Sequence, residues 1–135
     1  EGQILLCRRA IEPRYGYWTL PAGFMENAET TIEAAARETL EEALAEVTIE
    51  GLYSIIDVPH INQVHMFYRA SLKDGQFGAG EESLESRLFS PGEIPWDEIS
   101  FPTVRKTLEL FLLDMETERF GVHVSDIRHP MGKKA

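Results

Sequence analysis

Between Gly23 and Ala45 the chain reads GFMENAETTIEAAARETLEEALA, and the order of its acidic residues constrains the fold more than any other stretch. At about 100° per residue, Glu38, Glu41 and Glu42 share one face of a helix, because positions i, i+3 and i+4 are surface neighbours. Ile32, Ala36, Leu40, Ala43 and Val47 fall opposite, so the pattern predicts one face in a core and one face of carboxylates. Thr30 and Glu33 have capping-box spacing, which starts the helix at Thr30. Arg37 follows Glu33 and precedes Glu41 by one helical turn each, placed to pair with either and to steer the carboxylates rather than join them. A solvated acidic helix needs charge in no particular order, whereas a divalent cation needs carboxylates that converge.

Around this helix the chain alternates short apolar runs with loops. Ile4 to Cys7 reads as a buried strand, Glu12 to Tyr17 as a loop, and Trp18 to Leu20 as a short strand stopped by Pro21. Val47 to Val58 is rich in β-branched residues, with Gly51 as a bulge or bend. Gln63 to Leu72 is its hairpin partner across Pro59 to Asn62. Lys73 to Glu82 is a glycine-rich acidic loop, and Leu84 to Phe89 returns to strand character. Val104, Leu108, Phe111, Leu112 and Met115 recur at helical spacing from Pro102 to Glu116, with Pro102 at a permitted first-turn position. Phe120 to Val124 is a last short strand, and the basic end from Gly132 to Ala135 is expected to fray. Strands interleaved with two helices predict a single α/β domain over 1–135.

Composition narrows the function classes. A net charge of −10 and a pI near 4.8 argue against a nonspecific grip on nucleic acid, which needs basic patches. A nucleotide substrate stays open, since bound Mg²⁺ or Mn²⁺ reverses the local potential. Cys7 is the lone cysteine, so no internal disulfide and no four-cysteine zinc site can form; it reads as a core filler in a reducing compartment. No apolar run reaches the roughly 20 residues of a membrane span, and no signal-peptide pattern opens the chain. Because Glu1 rather than Met comes first, an unseen upstream region is allowed for.

The acidic stretch resembles the Nudix box: Gly, five residues, Glu, seven residues, then Arg-Glu-apolar-x-Glu-Glu-x-Gly-apolar. Gly23, Glu29, Arg37, Glu38, Glu41 and Glu42 match in type and spacing, and YWTLPAG is similar to the family's lead-in. Thr39 stands where an apolar residue is common and Leu44 where the late glycine is expected, while Ala45 is only a small apolar residue. Ala22 and Ala28 replace glycines often found near the start. The missing late glycine leaves the helix end open. RRAIEPRYGYWTLPAG, PHINQV and SLESRLFSPGEIPWDEI are similar to a Nudix subgroup that includes ADP-ribose and FAD pyrophosphatases, some of which carry an upstream zinc ribbon.

The resemblance implies a Nudix fold, an α/β/α sandwich with a mixed sheet, and Mg²⁺- or Mn²⁺-dependent hydrolysis of a nucleoside diphosphate linked to another group, releasing AMP from ADP-ribose or FAD. It implies Glu38, Glu41 and Glu42 as metal ligands, with the Gly23 carbonyl added, and Arg37, paired with Glu29, as the residue that orients them. The general base stays open between Glu38 and a loop glutamate among Glu81, Glu82 and Glu85. Tyr17, Trp18 and Phe67 are candidates to stack a base, Arg9 and Arg14 to contact phosphate, and His60 and Gln63 to reach substrate from a site-facing loop. The expected partner is a nucleotide, with no nucleic acid and no membrane, in a cytoplasmic homodimer. A nucleotide-sensing module without turnover and a house-cleaning triphosphate pyrophosphatase are the competing readings.

Overall fold

The computed structural model describes residues 2–128, so the basic end from Gly132 lies outside the described residues. Eight elements follow in order: β1 (Ile4–Arg9), β2 (Trp18–Thr19), α1 (Thr31–Ala43), β3 (Val47–Val58), β4 (Gln63–Leu72), β5 (Ser83–Phe89), α2 (Pro102–Thr117) and β6 (His123–Asp126). The strands form two three-stranded sheets, ordered β2-β1-β5 and β4-β3-β6, and with the helices they make an α/β/α sandwich. The first sheet is antiparallel throughout. The second is mixed, since β3 runs antiparallel to β4 and parallel to β6. The last strand covers His123–Asp126 rather than Phe120 to Val124, because Phe120 instead packs its ring against Phe111 and Tyr53.

The Val47 to Val58 run forms one long strand, and its register slips between Ile49 and Gly51, at the glycine where a bulge was expected, and again between Leu52 and Ser54. One core cluster gathers Ile4 and Leu6 of β1, Trp18 of β2, Phe89 of β5 and Val104 and Leu108 of α2. Inside it, the hydroxyls of Ser54 and Thr107 pair at 3.0 Å, which satisfies two polar groups that burial would otherwise leave unmatched. Asp114 of α2 accepts from Tyr53 and, at 2.8 Å, from Nε2 of His123, and so ties β3 and β6 to the same helix.

The acidic helix starts as its sequence predicts: Thr30 is the N-cap and completes a capping box with Glu33. Its faces differ from the expectation. Ile32 and Leu40 are about half exposed, at 50% and 48%, whereas Ala34 and Ala43 are buried. Small side chains let the helix backbone approach β1, and Cys7 packs beside Ala43 and Ala45 there. The inward direction is therefore rotated from the apolar stripe toward the carboxylates, and the side chain of Glu38 keeps only 13% of its exposure.

The helix ends without the glycine usual at that place. Leu44 itself adopts the left-handed conformation, φ 49°, and its N–H bonds the Leu40 carbonyl. The carbonyls of Glu42 and Ala43 are met by the loop before β5 and by the first residue of that strand. Gly78 donates to Ala43 and Gly80 to Glu42, and the Ser83 hydroxyl also reaches Glu42, at 2.8 Å.

Candidate active site

Arg37 is the hub of the site. Its Nη1 lies 3.0 Å from Glu38 and 3.2 Å from Glu41, its Nη2 lies 3.1 Å from Glu29, and Glu26 approaches at 3.5 Å. A further bond to the Phe24 carbonyl fastens the guanidinium to the loop ahead of the helix. These partners hold the Arg37 pKa well above its ordinary value, the Glu29 bond contributing most, and the same bond lowers the pKa of Glu29. The Glu29 pairing matches the sequence expectation, while Glu26 carried no spacing signal that would have singled it out.

Glu42 has a different environment. It is half-buried between β1 and the Pro21–Gly23 loop, where the Ala22 N–H donates to its Oε1 at 3.2 Å. Burial, and then the neighbouring Glu38 carboxylate, push its pKa up to about 8, against the opposing Ala22 bond and the charge of Arg9. Gly23 faces the Glu38 carboxylate: a Cβ there would stand 2.1 Å from its Oε2, so no side chain fits at position 23 while Glu38 keeps this position.

Among the described residues no three acidic, histidine or cysteine side chains converge on a single point, because Arg37 draws Glu38 and Glu41 toward itself. The donor set nevertheless suits a hard divalent cation. It offers oxygen ligands only, on neighbouring positions of one helix, and a carboxyl, Glu42, whose pKa is raised first by burial and then by the adjacent Glu38.

The loop 79–82 forms the opposite wall. Gly80, Glu81 and Glu82 line an open groove with Glu41 and Glu42, and Glu82 also shares a small cavity with Arg9, Cys7 and Glu42. Glu85 does not belong to this loop. It lies on β5 opposite Arg8 and pairs with it at 3.4 Å, because strand pairing begins at Ser83 and fixes its direction.

The expected substrate contacts divide. Arg9 lies on the site and Tyr17 is half-buried with Arg14 stacked 4.0 Å over its ring. Trp18 is a core residue instead, 5% exposed and edge-on to Phe89 at 4.9 Å, so its ring cannot take a base. Phe67 likewise packs against the main core. Gln63 bonds His65 at 2.8 Å and His60 stands exposed on the hairpin turn; among the described residues neither bonds to the carboxylate cluster. The PHINQV turn lies at the tip of the β3–β4 hairpin, and its sequence gave no sign of that position relative to α1.

Residues 1–111 match the family model described as NUDIX domain. A crystal structure of a NUDIX hydrolase from Nitrosomonas europaea is 49% identical, with a TM-score of 0.93 over 96% of this chain and 73% of that one. An "ADP-ribose pyrophosphatase" of Methanocaldococcus jannaschii is 31% identical over 99 residues, 70% of this chain and 59% of that protein. An "8-oxo-(d)GTP phosphatase" of Mycolicibacterium smegmatis is 28% identical over 102 residues, 74% of this chain and 31% of that protein. The chain thus spans less than two thirds of these curated relatives.

Proposed function

The chain belongs to the Nudix family, and on that footing we propose that it is a divalent-metal-dependent hydrolase of the pyrophosphate bond in a nucleoside diphosphate linked to a second group, with ADP-ribose or FAD as substrate and AMP as product. The observation that carries this reading is Glu38 and Glu41 gathered by Arg37, with Glu38 beside Gly23, on the same helix as Glu42, which lines one groove with Glu41 and the Glu82 loop. The resemblance to an ADP-ribose pyrophosphatase supports the substrate class.

In this reading Glu38, Glu41, Glu42 and the Gly23 carbonyl hold Mg²⁺ or Mn²⁺. When bound, the cation screens phosphate charge and acidifies water. Arg37 positions Glu38 and Glu41, and its hold by Glu29 and the Phe24 carbonyl keeps it from wandering. A carboxylate of Glu38 or Glu82 takes the proton of the attacking water. The water oxygen bonds to phosphorus, the bridging P–O bond breaks, and its electron pair leaves with the departing phosphate. Glu85, engaged by Arg8, is the weaker candidate for that proton. Arg9 and Tyr17 contact the substrate. A cytoplasmic homodimer rests on the family resemblance alone.

A second reading, hydrolysis of an oxidised nucleoside triphosphate, draws on the 8-oxo-(d)GTP phosphatase relative. Incubation with ADP-ribose, FAD, NADH, diadenosine polyphosphates and 8-oxo-dGTP, with and without Mg²⁺ or Mn²⁺, separates the two. Metal-dependent AMP release from a dinucleotide is expected; preference for the triphosphate would favour the second reading, and no turnover of any substrate would refute both.

A further inference from the structure

Leu44 carries two unfavourable features at once. Among the described residues five non-glycine residues hold positive φ, Arg14, Ala28, Leu44, Asn62 and Glu118, and of these Leu44 is the large apolar one. A Cβ in the left-handed region crowds the following carbonyl, so the last position of α1 disfavours any side chain. The side chain held there is also 53% exposed. An exposed leucine alone is ordinary on a protein surface, and a strained residue is ordinary where dense packing holds it. At Leu44 the strain is kept without that packing. The Gly78 loop covers one side of the leucine, since a Cβ at Gly78 would stand 3.2 Å from its Cδ1, and the other side stays open.

The open side borders the site. Leu44 and Ala79 line the same groove, of about 500 Å³, as Glu41, Glu42 and Glu82. Glu42 and Glu82 also line the small cavity that holds Arg9. The two carboxylates therefore border both concavities, one with a cation in its wall and one with a leucine and an alanine. A substrate held for cleavage at these carboxylates extends past them in two directions, and its halves meet different chemistry. Among the described residues no Lys, Arg or His lines the Leu44 groove, so the part of a ligand that rests there carries no charge of its own. A flat ring covers leucine methyls with apolar surface, whereas sugar hydroxyls laid against them lose water and gain no partner.

We propose that Leu44, with Ala79, forms an apolar shelf for an uncharged aromatic ring in the second group of the substrate, and so selects a dinucleotide with a ring at both ends over a nucleotide sugar. This rests on the hydrolase reading for the position of the cleaved bond. The AMP half then lies on the Arg9 side of the two carboxylates. A purely structural role for Leu44, closing α1 against the Gly78 loop, would alter stability and would not distinguish one second group from another.

FAD and ADP-ribose share the AMP half, so the ratio of their kcat/KM values reads the second group alone. The ratio is measured with Mg²⁺ on the full chain and on its Leu44→Asn and Leu44→Met variants. Where only one compound is cleaved, the other is measured as its competitive inhibitor, and where neither is, both are titrated calorimetrically. Asn accepts the left-handed backbone and removes the apolar surface, while Met keeps that surface. Leu44→Asn should lower the FAD to ADP-ribose ratio about fivefold to tenfold, the loss that corresponds to the exposed half of one leucine. Leu44→Met should stay within twofold of wild type. Damage to the fold lowers both values and cancels in the ratio. A Leu44→Asn ratio within twofold of wild type overturns the shelf, as does a Leu44→Met ratio that falls as far as that of Leu44→Asn, or FAD that the wild type neither cleaves nor binds. Failure of the hydrolase reading looks different: AMP is released from neither compound, and the ratio of dissociation constants still decides the shelf.

Discussion

A methyl group at position 23 would stand 2.1 Å from Oε2 of Glu38, so the Glu38 carboxylate holds this position only against a residue without a side chain. Gly23→Ala should push Glu38 out of place and lower Mg²⁺ or Mn²⁺ affinity about tenfold to a hundredfold, the range seen when a ligand's support is removed. Titration followed by calorimetry checks it, and an unchanged affinity would show that Glu38 has room to move.

Gly80 is closer still to its neighbour, with a Cβ there 1.7 Å from the carbonyl oxygen of Glu41. The contact is with main chain, so no side chain can rotate away. Gly80→Ala should cost about 1–3 kcal/mol in denaturant unfolding as the loop lifts from the helix end. It should also lower turnover, because Glu82 travels with that loop.

Ala28 and Leu44 adopt the left-handed conformation, at φ 67° and 49°, where the Nudix box resemblance expects glycine. Side chains at such angles cost about 1–2 kcal/mol each. Ala28→Gly and Leu44→Gly should each raise the unfolding free energy by about 1 kcal/mol, measured by urea titration; a fall at either site would mean that its side-chain contacts outweigh the backbone relief.

The Glu42 carboxyl, pushed up to about 8 from an ordinary 4.5, sets a pH dependence. Between those two values the unfolded chain has lost this proton and the folded chain keeps it, so raising the pH favours unfolding. Without metal, stability should fall across that window, and Glu42→Gln should flatten the slope in melts run in EDTA. Mg²⁺ affinity should rise over the same range, because the cation competes with the proton.

Trp18 and Tyr17 are adjacent and should respond oppositely. Trp18→Ala opens the core and should cost about 3–5 kcal/mol. Tyr17→Ala removes a half-buried ring and the stack with Arg14, at about 1 kcal/mol, and should instead raise KM. Melts and steady-state kinetics on both variants read the contrast directly.

Much of this was legible in the order of residues, because the signals involved are local. A capping box and a helical repeat depend on neighbours within one turn, so the start of α1, the long β3–β4 hairpin and α2 could all be placed. Burial could not. The stripe of Ile32 and Leu40 looked like a core face, yet Ala34 and Ala43 are the buried residues, and the end of the helix meets Cys7 of β1 through Ala43 and Ala45.

The sequence alone determined the family and the set of acids, since both are written at fixed spacings, and the family motif implied the pairing of Arg37 with Glu29, where helical spacing alone pointed to Glu33 or Glu41. Tertiary structure decided how those acids are used. Burial against the Pro21–Gly23 loop separates Glu42 from Glu41, strand pairing withdraws Glu85 to Arg8, and core packing removes Trp18 from the site. Each depends on residues far apart in the chain that meet only after folding, and no local spacing encodes such a meeting.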